Sequence, residues 1–456
     1  MKLPEKPDLS NLFFRMEENE SLFELRTTKD FPIWDIVRNQ IWYKLIYNSP
    51  FVEKQLDIKT KVISLFKAFL LFPKIFFQRK NFFFFGASRF ITKNKEFYDP
   101  FFEEVKKNLD NNFILYETIT GKDIYAEKNH IYPILPYLKK PIRLIFQLFN
   151  PIKKDVDTIF KIKYSINSAF RNEITTVKEI NEIYVDFLID YYYFKFLFFL
   201  LPSIKCVLLH QNGFQKGFIL AAQHNSVKVL EFQHADIIEA NIVWHYGYNQ
   251  FKSKNDIIFP NLFLTFSDVW SNNYNIPCCC IEIGSKHYNI DKKWIPNSNN
   301  IGIISTKEHE DILNIFVIEA AKSYPDIDFL YKLHPSQFSR YEKFTFYFKE
   351  TSNVKVVPIE STIKDLLCLT NEFIVIYSSV IFELLQADKI VYIYQKLNYW
   401  FFKRYFTLPN VYLFSDIKDF NLQKNNASTS HIYDFPIKFF KPFNETAFKA
   451  AIEDFN

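Results

Sequence analysis

Glycine is scarce, at 7 of 456 residues. Loops that wrap a phosphate in backbone N–H groups need several glycines at fixed spacing. Neither GxGxxG nor GxxxxGK[ST] occurs, which sets aside dinucleotide dehydrogenases and P-loop kinases. HExxH and GxSxG are missing as well, which argues against zincins and α/β-hydrolases. Cysteine is limited to five residues, three of them consecutive at 278–280. That spacing fits neither a disulfide framework nor a zinc site, and it points to a reducing cytosol. Charge of one sign is not in excess. A net +5 from 56 basic and 51 acidic side chains is too mild for a dedicated nucleic-acid binder. No apolar run reaches the length of a membrane span. Residues 62–77 are interrupted by Lys67, Pro73 and Lys74, and residues 191–201 are too few. The opening MKLPEKPDLS lacks an apolar core behind its charges, unlike a secretion signal.

Aromatic residues, by contrast, are abundant, with 54 Phe and 27 Tyr among much Lys and Asn. This is the bias of an AT-rich genome, so single aromatics carry little functional signal. A hydrophobic share of 48% and a charged share of 23% describe a folded chain long enough for two cores. Residues 1–80 read as an N-terminal helical segment. Ile33, Trp34, Ile36, Val37, Ile41 and Trp42 recur at helical spacing. Arg38 on that helix suits either an anionic acceptor group or, the commoner role, a surface ion pair. The stretch 62–80 mixes Phe and Leu with Lys and Arg, so it suits either a core helix or an anionic membrane surface.

Beyond it, apolar runs end repeatedly in polar residues. The runs at 81–85, 113–116, 204–209, 227–232, 262–266 and 281–283 read as strands of one α/β domain, residues 81–290. A polar linker comes next, at 291–300. The runs at 301–305, 328–333, 354–357, 372–377, 389–394 and 411–414 read as strands of a second α/β domain, residues 301–456, which closes with a helix. The fold class is therefore α/β, with two Rossmann-like domains facing a cleft and an N-terminal helical extension.

The chemistry concentrates in the second domain. One strand delivers Lys332, His334 and Pro335, the proline stiffening the turn. The next functional strand delivers Ser378 and Ser379 at the start of a helix, where free N–H groups and the dipole favour an anion. Glu383 lies one helical turn further on and suits ribose hydroxyls. These six residues are the expected donor-binding set. In the first domain His234 and Asp236 come directly after the strand at 227–232. They are the expected general-base candidates, with His210 and Glu117 behind them.

Three motifs carry a resemblance: YKLHPSQ, YSSVIFELLQADKIVYIY, and EFQHADI with Ala235 where the relatives have glycine. Together with the spacing from FPNLFLTFSDVW to IEIGS, they resemble bacterial GT-B glycosyltransferases of capsule and lipooligosaccharide synthesis, of the sialyltransferase and Kdo-transferase type. A looser resemblance runs to teichoic-acid glycerophosphotransferases. It covers about residues 200–395. It implies that His334, Ser378 and Ser379 bind the phosphate of a nucleotide-sugar donor, with a CMP-linked one favoured, and that the acceptor is a glycan or glycolipid. The acidic-acidic-glycine motif of the sialyltransferases is absent, so the resemblance assigns no base. The expectation is therefore an inverting, metal-independent glycosyltransferase without cofactor, cytoplasmic or peripheral on the inner membrane face. A CDP-polyol-type transferase and a non-catalytic scaffold of the same fold are the alternatives.

Overall fold

The computed structural model describes residues 9–47, 66, 79–86, 90–91, 97–117, 130–131, 135–149, 153–238, 241–247, 253–288, 290, 300–306, 309–396, 399–428 and 437–453. The chain forms two compact units. The first contains Glu96–Ile283 and is completed by the residues from Asn444 onward; the second is built from Gly284–Phe443. The final helix therefore joins the first unit rather than the second. The polar stretch expected as a linker, and the amphipathic stretch 62–80, lie outside the described residues except for 66, 79–80 and 300.

The first unit is built on seven parallel strands: β1 Phe82–Phe85, β2 Phe113–Tyr116, β3 His130–Ile131, β4 Cys206–Leu209, β5 Lys228–Phe232, β6 Leu262–Thr265 and β7 Cys279–Glu282. Their order across the sheet is β3-β2-β1-β4-β5-β6-β7. All are short and mostly apolar on both faces, as expected of parallel strands covered on each side. Phe83, Phe84, Val207, Leu208, Val229 and Leu230 are fully buried. The chain works outward from β1 to β3, returns to the middle, and works outward again from β4. The switch of direction falls between β1 and β4.

The second unit repeats that plan in six parallel strands: β8 Ile301–Ile304, β9 Phe329–Lys332, β10 Val354–Val356, β11 Glu372–Val375, β12 Ile390–Tyr394 and β13 Val411–Phe414. Their order is β10-β9-β8-β11-β12-β13, with the switch between β8 and β11. Gly302 on β8 has to be glycine, since a Cβ there would stand 2.4 Å from the Phe373 ring of β11. The strands expected in both domains are present within a few residues of their expected ends. The short strand β3 is an addition to them.

Helices α1 Leu9–Asn19, α2 Ile33–Tyr47, α3 Pro100–Val105, α4 Leu135–Phe149, α5 Val156–Phe170, α6 Val177–Leu200 and α7 Lys216–His224 belong to the first unit. Arg38 of α2 is not the surface residue its charge suggested, because it is 2% exposed. Its Nε donates to Glu17 Oε1 of α1 at 2.5 Å, and Nη1 donates to the Ile242 carbonyl at 2.6 Å. The Tyr246 ring covers the guanidinium at 4.4 Å. One turn back, Asp35 takes Lys216 of α7 at 2.9 Å, the Tyr246 hydroxyl at 2.8 Å and the Ile258 N–H at 2.8 Å. Glu231 of β5 is fully buried. It accepts from the Asn212 side chain and from Trp244 Nε1, each at 2.8 Å, and burial pushes its carboxyl up to about 7.

Removing one partner of a buried, hydrogen-bonded ion pair leaves the other charge uncompensated. Arg38→Met should therefore cost about 3–5 kcal/mol. The double variant Glu17→Leu with Arg38→Met should recover a large part of it. Urea denaturation of the three chains checks this, and equal midpoints for wild type and Arg38→Met would contradict it.

Candidate functional site

In open parallel sheets, ligands bind outside the carboxyl ends of the strands where the winding changes direction. In the second unit that place lies beyond Ile304 and Val375. These two residues are direct register partners, and Lys332 is the partner of Ile304 on the other side. The segments after all three strands thus leave from one edge, with the β9 and β11 tips separated by about two strand spacings, roughly 10 Å.

Hydroxyls line this edge. Beyond β8 come Ser305 and Thr306, both buried. Ser305 Oγ lies 3.1 Å from the Tyr331 hydroxyl. Thr306 Oγ1 is buried with no hydrogen-bond partner among the described residues, a state that a water or a ligand oxygen would relieve. Helix α8 Glu310–Ser323 comes next. The buried His309 stands just before its first turn, and its ring lies 5.8 Å from that of Tyr377 beyond β11. Ser305, Thr306 and His309 are absent from the set expected from sequence. The signal is present, since the apolar run IGII ends in Ser-Thr as plainly as its neighbours end in their polar tips.

His334 is exposed and begins the 3-10 turn Pro335–Arg340. Its Nδ1 accepts the Ser336 N–H at 3.2 Å and sits 2.7 Å from Ser336 Oγ; its own N–H donates to Gln337 Oε1 at 2.9 Å. The histidine is thus a cap first. With Nδ1 accepting from the backbone, the neutral ring carries its proton on Nε2, which suits a donor to an anion. Pro335 occupies the first position of that turn, where its missing N–H costs nothing.

The expectation for the serine pair needs revision. Helix α9 Val380–Gln386 has only seven residues, and its first N–H groups are already used. Val380 N donates to Ser378 Oγ at 3.4 Å, Ile381 N to the Ser378 carbonyl at 3.1 Å, and Phe382 N to the Ser379 carbonyl at 3.2 Å. A bound phosphate would meet side-chain hydroxyls and cations here rather than free backbone donors. Ser379 is exposed and its side chain makes no capping bond to the helix.

Two titrating groups flank the hydroxyls. Lys332 is half-buried, and burial pulls its ammonium down to about 8 against the opposing pull of Asp365 and Glu360. Glu383 is pushed up to about 8 by burial, with Lys364 acting the other way. It is therefore largely a neutral acid at pH 7, and it can donate as well as accept.

In the first unit, His234 and Asp236 lie beyond β5 as expected. The His234 ring packs edge-on against Trp244 at 5.1 Å. Burial pushes the Asp236 carboxyl up to about 6, opposed by a backbone hydrogen bond. Both stand one strand beyond the switch between β1 and β4.

Among the described residues, no cluster of three or more His, Cys, Asp or Glu could hold a metal ion. Two Asp-x-Asp triplets occur, at 155–157 and 326–328. Asp155 accepts the Thr28 N–H at 2.6 Å, and Asp328 pairs with Lys355 at the opposite, amino end of β9. Neither belongs to a strand's carboxyl tip. Among the described residues no helix is long and apolar enough to cross a membrane.

No protein-family model matches the chain, and neither does any curated protein. Several solved structures are similar to it. A UDP-GlcNAc 2-epimerase from Neisseria meningitidis, bound to UDP-GlcNAc, shares 15% identity over 82% of this chain and 99% of its own, with a TM-score of 0.44. MurG of Acinetobacter baumannii shares 10% over 82% and 99%, also at 0.44. MnaA of S. aureus with UDP shares 12% over 77% and 88%, at 0.42. At these levels the likeness carries neither substrate nor reaction to this chain.

The raised Glu383 pKa has a signed consequence. A carboxyl whose folded value lies above its unfolded one favours folding fully below about pH 4.5 and loses that contribution as pH rises through about 8. Glu383→Gln should therefore raise the melting temperature relative to wild type at pH 9 and leave it nearly unchanged at pH 5. A Glu383→Gln difference independent of pH would refute the assignment.

Proposed function

We propose that this chain is a glycosyltransferase that moves a sugar from a nucleotide-activated donor to a glycan or glycolipid acceptor. The observation that supports this reading is the carboxyl edge of the second sheet around its switch point, from which the segments bearing Thr306, Lys332, Ser378 and Ser379 all leave. Hydroxyls and a lysine suit the oxygens of a donor phosphate. His334, through Nε2, adds a donor to the charge that develops on the leaving nucleotide. Glu383, held neutral, offers both a donor and an acceptor to ribose hydroxyls or to a pyrimidine edge. The short motifs around His334 and the serine pair favour a CMP-linked sugar and a product in surface-polysaccharide synthesis. Attack from the face opposite the leaving phosphate inverts the anomeric carbon. Every phosphate contact in this reading is a protein group.

Titration calorimetry with CMP, CDP and UDP tests the reading. At least one should bind. Lys332→Ala and Ser378→Ala should each weaken that nucleotide by roughly 10–150-fold, the scale of one hydrogen bond to a charged group. No heat and no thermal shift with any of the three would overturn the proposal.

A further inference from the structure

The turn beyond β9 is pinned by a side chain that the nucleotide site does not itself use. Gln337 is fully buried. Its Oε1 accepts the His334 N–H at 2.9 Å. Its Nε2 donates to Glu310 Oε2 at 3.0 Å and to the Thr306 carbonyl at 3.4 Å. One amide thus joins the tip beyond β8, the first residue of α8 and the head of the turn beyond β9. Glu310 is held in turn by Arg340 at the end of that turn, whose Nη1 and Nη2 donate to its two oxygens at 2.7 and 2.6 Å. Burial pushes the Glu310 carboxyl up, but the bonds from Arg340 and Gln337 outweigh it and bring it below its ordinary value. The group that Gln337 faces there is therefore a carboxylate.

A primary amide meets these demands at neutral pH. The position must accept from a backbone N–H and donate both to a carboxylate and to a carbonyl. A carboxylate offers no donor, and a thioether offers no donor and only a weak acceptor. What distinguishes Gln337 from an ordinary cap is where its bonds go. The peptide of His334 sets the imidazole. The peptide of Thr306 sets a buried hydroxyl that has no hydrogen-bond partner among the described residues. Both groups lie at the same carboxyl edge, delivered by the neighbouring strands β8 and β9. Every residue involved belongs to the second unit.

We propose that Gln337 is a positioning residue of the nucleotide site, fixing the spacing between His334 and Thr306 and thereby the affinity for the donor phosphate. This rests on the transferase reading and deepens it. Gln337 touches no substrate. It acts through the peptide groups of the two residues that do.

Two substitutions of similar size separate positioning from packing. Gln337→Met keeps the volume and removes the bonds to His334, Thr306 and Glu310. Gln337→Glu keeps the acceptor for the His334 N–H but, when ionised, sets a second carboxylate against Glu310. The facing like charge raises the pKa of the new carboxyl, so protonation at lower pH returns a donor. The measurement is titration calorimetry with whichever of CMP, CDP and UDP wild type binds, at a temperature where melting curves show each chain folded. Gln337→Met should weaken that nucleotide by about 5–10-fold at pH 8, the scale of one hydrogen bond. In a His334→Ala background the same substitution should cost about 3-fold or less, because residues that act through one another are not additive. Gln337→Glu should bind more weakly than wild type at pH 8 and approach it at pH 5. Wild-type affinity in a folded Gln337→Met chain would overturn the inference alone. Equal losses in the two backgrounds, or a Gln337→Glu deficit that does not change with pH, would do the same. If Gln337→Met does not fold, Gln337→Glu decides by itself. A wild type that binds none of the three nucleotides would remove the transferase reading and this inference together.

Discussion

An arginine inside a protein has to be paired, and Arg38 is inside. Its partner, Glu17, comes from the preceding helix, and its remaining donors reach carbonyls at Ile242 and His245, some two hundred residues later. Together with Asp35 and Lys216, this ties α1, α2 and α7 to the segment after β5. The arrangement is costly to break and adds little net stability, because desolvating four charges offsets most of their attraction. What it does provide is registration. The N-terminal helices have one place where their charges are satisfied, and that place also seats Trp244, whose indole N–H reaches the buried Glu231.

The two units share one winding order, and that order decides where chemistry can be placed. Going outward, returning to the centre, and going outward the other way leaves a gap between neighbouring strand tips at the turnaround. In the second unit that gap is edged by hydroxyls, with a half-buried lysine one strand away. In the first it is edged by His210, whose Nε2 lies 2.6 Å from Asp99 Oδ2. Burial tunes the second unit's set, since Glu383 and Lys332 are displaced toward neutral forms chiefly by desolvation.

Much of the architecture is legible in the sequence because parallel strands covered on both faces are unbroken apolar runs, and their tips stand out by contrast. Phe82–Phe85 and Cys206–Leu209 are such runs. Strand order is not legible, because it depends on pairing between segments far apart in the chain. Most candidate residues of the second unit stand out because they lie at or just beyond the end of an apolar strand, with Glu383 one helical turn further on. Thr306 escapes notice only because the apolar run before it closes at Ser305. Arg38 misleads because its partner lies 21 residues away on another helix. The Asp99–His210 pair spans 111 residues. Asp99 before a proline reads as a helix cap, which it is, and nothing local reveals its second oxygen's role.

The central claim is that the carboxyl edge of the second sheet receives a nucleotide. Crystals grown with CMP or UDP test it most directly. The account predicts nucleotide density with its phosphate oxygens within hydrogen-bond distance of Thr306, Lys332 or Ser378. A nucleotide bound elsewhere on the chain, with that edge unchanged, would contradict it.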